Sequence, residues 1–291
     1  RVRVSTGCGD GVLVVGPTGQ LGTAILRALP EANGLGRDAL DLETATSTRT
    51  YDELAARNPL LVINCAAYTA VDRAETDRSA AMRINTTAPE LLARACTALG
   101  ARFVTFSTDY VFDGEQGHPY VESDETSPIN VYGESKRLGE LAVMEADASA
   151  LVIRTSWLVS VTHVNFITKI LTRTSGGEPC RVVDDQRGCP TSAHDLALAT
   201  LTAISQERSG ILHLVNSDTA TWFELAETAM QVAGIDPSLL ERCTSDDYIT
   251  TARRPRYSVL GSERMTPADS IVLPPWRRAV EAIVEQLYPN R

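Results

Sequence analysis

The segment Val12-Leu13-Val14-Val15-Gly16-Pro17-Thr18-Gly19-Gln20-Leu21-Gly22 restricts what the chain can fold into more than any other stretch. A short unbroken apolar run offers no polar face to water, so it predicts a strand covered on both sides. Glycines directly after it predict a tight turn whose backbone N–H groups can approach a pyrophosphate at the start of a helix. Leu21, Ile25 and Leu29 then recur every four residues, the period of one helix face. The spacing is GxxGxxG, not GxGxxG. Alone, such a triplet is as readily a structural turn; its place between a buried strand and a helix makes Gly16, Gly19 and Gly22 dinucleotide-site candidates.

The pattern repeats. Leu60-Leu61-Val62-Ile63, Phe103-Val104-Thr105-Phe106 and Leu151-Val152-Ile153 are further apolar runs, and Leu91, Leu92, Ala95 and Leu99 mark a helix between them. Strand and helix alternation predicts an α/β fold, a Rossmann-type doubly wound parallel sheet, with ligands beyond the carboxyl ends of its strands. The expected division is a nucleotide-binding domain over 11–155, to which later segments return, and a smaller, mainly substrate-binding portion over 156–291. In that second part Asp195 to Ile204 reads as a helix, and Thr221 as the N-cap of another.

A net charge of -10 argues against a nucleic-acid partner, which needs a basic face. No apolar run approaches the roughly 20 residues that span a bilayer, so no membrane partner is expected. The opening Arg1-Val2-Arg3-Val4-Ser5 lacks the apolar stretch of a secretory signal, so a cytoplasmic location is expected. Cys8, Cys65, Cys96, Cys180, Cys189 and Cys243 are scattered without metal spacing and read as buried thiols; no metal site is expected. Lys136 and Lys169 are the only lysines among 27 basic residues, so each merits a functional question.

One of them has an answer. Tyr132-Gly133-Glu134-Ser135-Lys136 puts a phenol and an ammonium four apart, on one face of a helix. A neighbouring cation favours phenolate and is expected to lower the tyrosine pKa toward neutrality. Ser107-Thr108-Asp109 follows the run ending at Phe106, at a strand's carboxyl end, where a hydroxyl can steady charge growing on a ketone oxygen. Capping a turn is the competing role, fitting Ser107 better than Thr108. Arg37, after the second strand near Gly34-Leu35-Gly36, would accommodate the 2′-phosphate of NADPH, although a solvated arginine reads almost as well beside Asp38, and NADH stays open.

Together the glycine loop and YxxxK resemble the extended short-chain dehydrogenase/reductases. Longer strings narrow the resemblance: GPTGQLG at 16–22, NCAAYTAVDRAE at 64–75, STDYVFDG at 107–114, VYGESKRLGE at 131–140, RTSW at 154–157, DQRGCPT at 185–191, and Arg254-Pro255 with Ser258 and Leu260. In this order they are similar to the dTDP-4-dehydrorhamnose reductase family, from about residue 11 to about 280. The resemblance implies NAD(P)H-dependent reduction of the 4-keto group of a dTDP-4-keto-6-deoxy-L-hexose in deoxysugar biosynthesis. Tyr132 would donate the proton, Lys136 hold the nicotinamide ribose, and Thr108 bind the ketone with Asp109 beside it. Gly19, Gln20 and Leu21 would line the pyrophosphate, Asp41 and Leu42 the adenine, and Cys65, Ala66 and Ala67 the underside of the cofactor. Trp157 would contact the sugar nucleotide through a flat apolar face. A homodimer is compatible with the family, as is magnesium at a dimer contact, for which no separate carboxylate cluster is seen.

Tyr110 stands where a 4,6-dehydratase of the same superfamily would have glutamate, which argues against that reaction. A non-catalytic reading, an NADP-binding subunit like the regulatory subunit of methionine adenosyltransferase, stays open beside the enzyme. The chain also departs from the family after Trp157: Leu158-Val159-Ser160-Val161-Thr162-His163-Val164 replaces a glycine-containing stretch. Its β-branched residues are expected to fill the sugar pocket and favour a 2- or 3-deoxygenated sugar. The alternative is that the loop lies outside the pocket and the rhamnose precursor is the substrate. His163 reads as a solvent-facing loop residue.

Overall fold

A computed structural model describes residues 11–265, 271 and 273–289. Cys8 and the opening residues fall outside these. The first apolar run forms β1 (Val12–Val15), and the others form β3 (Leu61–Asn64), β4 (Arg102–Thr108) and β5 (Leu151–Thr155), with β2 at Asn33–Leu35. Among the described residues the central sheet has the order Gly210–His213, β5, β4, β3, β1, β2, every neighbouring pair parallel. This is the doubly wound α/β sheet expected. The four residues of β1 and of β3 are all buried, Asn64 included, whereas Leu60 of the predicted run lies before β3 and is exposed.

Strand order reverses between β1 and β3, so the crevice at their carboxyl ends is where such sheets bind ligands. Helix α1 (Gln20–Ala28) packs one face of the sheet together with the helix Ala193–Ser205 in a core containing Leu21, Ile25, Leu196 and Leu212. The helices Ala88–Leu99 and Val131–Ala146 contribute Leu92 and Val143 to the core of the opposite face. A second packed unit surrounds Trp276, Phe223, Ile167 and Trp157, built from the helices Phe166–Ser175, Trp222–Val232 and Trp276–Leu287. Thr221 caps its helix reciprocally with Glu224, as the sequence predicts. No helix among the described residues is long and apolar enough to cross a membrane.

Candidate active site

The glycine turn begins where β1 ends. Gly16 has φ +73°, and a Cβ there would lie 2.8 Å from the backbone nitrogen of Ala66. The turn after β3 therefore runs directly against the turn after β1, bringing Cys65 and Ala66 to the crevice. A Cβ on Gly22 would lie 2.1 Å from the Gly16 carbonyl, so that glycine serves packing. Gly19 differs: its Cβ would meet nothing closer than 3.7 Å. The protein itself does not need a glycine there. Helix α1 starts at Gly19 with no side-chain cap and no acidic residue in its first turn, so its free N–H groups and positive dipole end are left for an anion. This cradle fits a dinucleotide pyrophosphate.

The residues expected around the cofactor are placed unequally. The Leu42 side chain is buried in the core with Leu13 and Val15, leaving only its backbone to face an adenine. Asp41 accepts from the Arg37 guanidinium at 3.1 Å and the Glu43 N–H at 3.0 Å, which hold its carboxyl below the usual range. Arg37 also meets Glu43 at 3.2 Å and has a 71% exposed side chain. Gln20 is occupied: its Oε1 accepts from Ser160 Oγ at 2.7 Å.

At the end of β4, Thr108 and Asp109 are buried. The capping expectation is reversed: Thr108 Oγ1 accepts from the Tyr110 N–H at 3.2 Å, whereas Ser107 Oγ has no partner among the described residues. The helix Val131–Ala146, N-capped by Asn130, brings Tyr132 to Thr108 and carries Lys136, buried, one turn further on. It comes very close because Gly133 and Gly139 face backbone; a Cβ on either would lie 2.0 Å from the Tyr110 carbonyl or 2.1 Å from that of Asn85. Asn85 sits in a π-helical turn and donates to Ser135 Oγ at 2.9 Å, which steadies the helix between the two candidate residues.

Burial dominates the electrostatics. It pushes the Tyr132 phenol up to about 12, against a smaller downward pull from its hydrogen bond with Thr108. The expected lowering by Lys136 is not what this arrangement gives; Tyr132 is held as a protonated acid. Burial also pulls Lys136 down to about 8, opposed by the charge of Glu140 one turn on. Sequence reasoning missed Glu140 as a partner. Its carboxylate takes two hydrogen bonds from Arg154, both at 2.8 Å, in a fully buried pair. An arginine inside an otherwise apolar strand was the available signal, since a buried charge requires a partner.

Motifs far apart in sequence meet at this site. Arg254 grips Asp72 at 3.0 and 2.7 Å, and Ser258 donates to Asp109 at 2.5 Å. Burial raises the Asp109 carboxyl to about 7. Cys96, Cys180, Cys189 and Cys243 are buried and Cys65 half-buried, all as free thiols. No group of three or more His, Cys, Asp or Glu side chains able to hold a metal occurs among the described residues.

The structure also departs from expectation around Trp157. The flat face of Trp157 is not open: Trp222 stacks on it at 3.6 Å between centroids and 5° between planes, and Gly188 lies so close that a Cβ there would be 2.6 Å from the indole. A second indole is a better cover for that apolar face than water. Of the β-branched residues in the loop after it, Val161 and Thr162 border a cavity that is separate from the catalytic candidates. Val164 is 77% exposed and Val161 packs on the second core, while the loop lies on the glycine turn through Ser160 and through His163 Nε2, 2.6 Å from the Thr18 carbonyl. His163 is thus half-buried and engaged rather than solvent-facing. A cavity of about 430 Å³ beside this loop, bordered by Gln20, Thr162 and Arg278, contains none of the catalytic candidates.

A parallel sheet with this switch point, a glycine cradle at the end of β1 and a Thr108–Tyr132 contact at the end of β4 define a Rossmann-fold protein of the extended short-chain dehydrogenase/reductase type. A family model described as the RmlD substrate binding domain matches residues 10–288, and the chain belongs to that family. A probable dTDP-4,6-dihydroxy-2-methyloxan-3-one 4-ketoreductase of Streptomyces antibioticus is 40% identical, covering 92% of each chain. A dTDP-4-dehydrorhamnose reductase of Streptomyces griseus is 39% identical over 92% of this chain and 91% of its own. Among solved structures, dTDP-4-dehydrorhamnose reductase of Bacillus anthracis in complex with NADP superposes with a TM-score of 0.90 at 30% identity, covering 94% of this chain and 98% of that one.

Proposed function

We propose that the protein reduces the 4-keto group of a dTDP-4-keto-6-deoxy-L-hexose with NADPH, NADH being the alternative donor. The observation that carries this reading is the buried contact of Thr108 with Tyr132, with Lys136 buried one helical turn on, in a chain whose glycine cradle is not explained by its own packing at Gly19. When bound, the nicotinamide supplies the hydride for carbon 4. Tyr132, protonated at neutral pH, gives its proton to the oxygen that gains charge. Thr108 then hydrogen-bonds the phenolate oxygen left behind. Lys136 keeps a positive charge nearby up to about pH 8 and is the candidate to hold the nicotinamide ribose. The turn at Gly16 and Gly19, with the N–H groups of Gln20 and Leu21, holds the pyrophosphate while Gly22 packs behind it; Cys65, Ala66 and Ala67 floor the site. Asp41 and the Leu42 backbone edge the adenine.

Similarity to a dTDP-linked 4-ketoreductase and a dTDP-4-dehydrorhamnose reductase favours a dTDP-linked 4-keto sugar over other carbonyl substrates. The test is NADPH oxidation by the purified protein against a panel of dTDP-4-keto-6-deoxyhexoses, the rhamnose precursor and a 2-deoxy analogue included. Oxidation dependent on one of these sugars, with a 4-hydroxy product, is expected. Firm NADPH binding without turnover of any of them would overturn the reading in favour of a binding subunit.

A further inference from the structure

We infer that Asp109 and Ser258 are positioning residues for the reduction, which together set the direction of the hydrogen bonds running from Thr108 through Tyr132 to the substrate ketone. This rests on the reductase reading above. Asp109 is 2% exposed and Ser258 1%, so water does not complete their bonding. Ser258 Oγ donates to Asp109 Oδ2 at 2.5 Å, and Asp109 Oδ1 lies 3.0 Å from Thr108 Oγ1. The same Thr108 oxygen accepts the Tyr110 N–H and contacts the Tyr132 phenol.

A threonine hydroxyl has one hydrogen to give. An ionised Asp109 only accepts, so it takes that hydrogen. Tyr132 must then donate to Thr108, and its proton points away from the ketone. A neutral Asp109 reverses the chain: its O–H serves Thr108, Thr108 donates to the phenol oxygen, and the phenolic hydrogen is free for the substrate. The Thr108 hydrogen is then also in place for the phenolate formed when Tyr132 gives up its proton. Burial raises Asp109 to about 7, so both states are reachable near neutrality, and the Ser258 bond opposes that rise. The titratable groups facing Asp109 are Tyr132 on the helix Val131–Ala146, Tyr110 beside it in sequence, and Cys189 from the 188–191 turn. Arg254 and Asp72 act on Tyr110, and Lys136 lies one turn beyond Tyr132.

Asp109→Asn is the isostere of the neutral acid, because its amide can donate to Thr108 while its carbonyl accepts from Ser258. Profiles of kcat against pH would compare wild type, Asp109→Asn, Asp109→Leu, Ser258→Ala and Ser258→Thr. At pH 6 the Asn variant should exceed the Leu variant by at least about tenfold. It should lack the fall near pH 7 and keep the one near pH 8 that belongs to Lys136. Ser258→Ala removes a donor to the carboxylate, so its fall should move to higher pH, and Ser258→Thr should restore the wild-type position. Equal loss in the Asn and Leu variants, or an unmoved fall in Ser258→Ala, would overturn the assignment. A second readout needs no substrate: the infrared carbonyl band of a neutral carboxyl, lost in Asp109→Asn, should titrate near pH 7 in the free protein and higher in Ser258→Ala. No such band at pH 6 would also overturn it. If no sugar is reduced, the reductase reading fails, and the band still decides the position of the Asp109 proton.

Discussion

Tyr132 must be an acid in the resting site and a tolerable anion one step later. Burial secures the first property by raising its pKa, and the Thr108 bond assists the second. Tyr132→Phe keeps the ring and removes only the proton, so turnover should fall by about a hundredfold or more with cofactor binding nearly intact. Single-turnover rates and cofactor titration would check this, and wild-type kcat would refute the acid assignment. Arg37 makes a different demand. Its exposed pairs with Asp41 and Glu43 cost little to break, so the guanidinium is available to a 2′-phosphate. Arg37→Asp should therefore lower the ratio of kcat/KM for NADPH over NADH. An unchanged ratio would mean that Arg37 serves only those surface pairs.

Within the glycine turn, close packing and ligand approach fall on different residues and can be separated. Gly22→Ala places a methyl against the Gly16 carbonyl and should cost about 1–3 kcal/mol in urea unfolding. Gly19→Ala has room for its methyl, so stability should hold while NADPH affinity drops; unaltered affinity would remove Gly19 from the phosphate site. On β5, Arg154→Met would leave the Glu140 carboxylate of the neighbouring helix buried without its main partner, a loss of about 3–5 kcal/mol. These elements were legible in sequence to different degrees. β1, β3 and α1 could be read because unbroken and four-residue periods report local burial. Glu140 lay within a motif, yet its partner sits on the next strand, and no period connects the two. The Trp157–Trp222 stack and the Asp109–Ser258 bond were hidden for the same reason: each joins segments whose proximity only the folded chain creates.

Across the whole molecule, the sheet and its cover are assembled from distant stretches of chain. β5 is joined on its outer side by Gly210–His213, and the α1 face of the sheet is sealed by Leu196, Leu201 and Ile204. The glycine turn, the helix Val131–Ala146 and the 254–261 segment pack into separate clusters, around Leu21, Val143 and Leu260, and Gly210–His213 pairs in the sheet although it lies well beyond residue 155. During synthesis this order carries a liability. Every strand from β1 to β5 has left the ribosome while the last sheet strand is still more than fifty residues away, so β5 presents a bare parallel edge and α1 an uncovered apolar stripe. Exposed strand edges of this kind pair with other chains. A fragment ending at residue 155 should therefore aggregate, and one extended through residue 214 should show markedly more soluble, helical material by size exclusion and circular dichroism. Equal solubility of the two would show that the nascent half protects itself. The full chain, by the same logic, should gain most from a chaperone in the interval between translating residues 155 and 214.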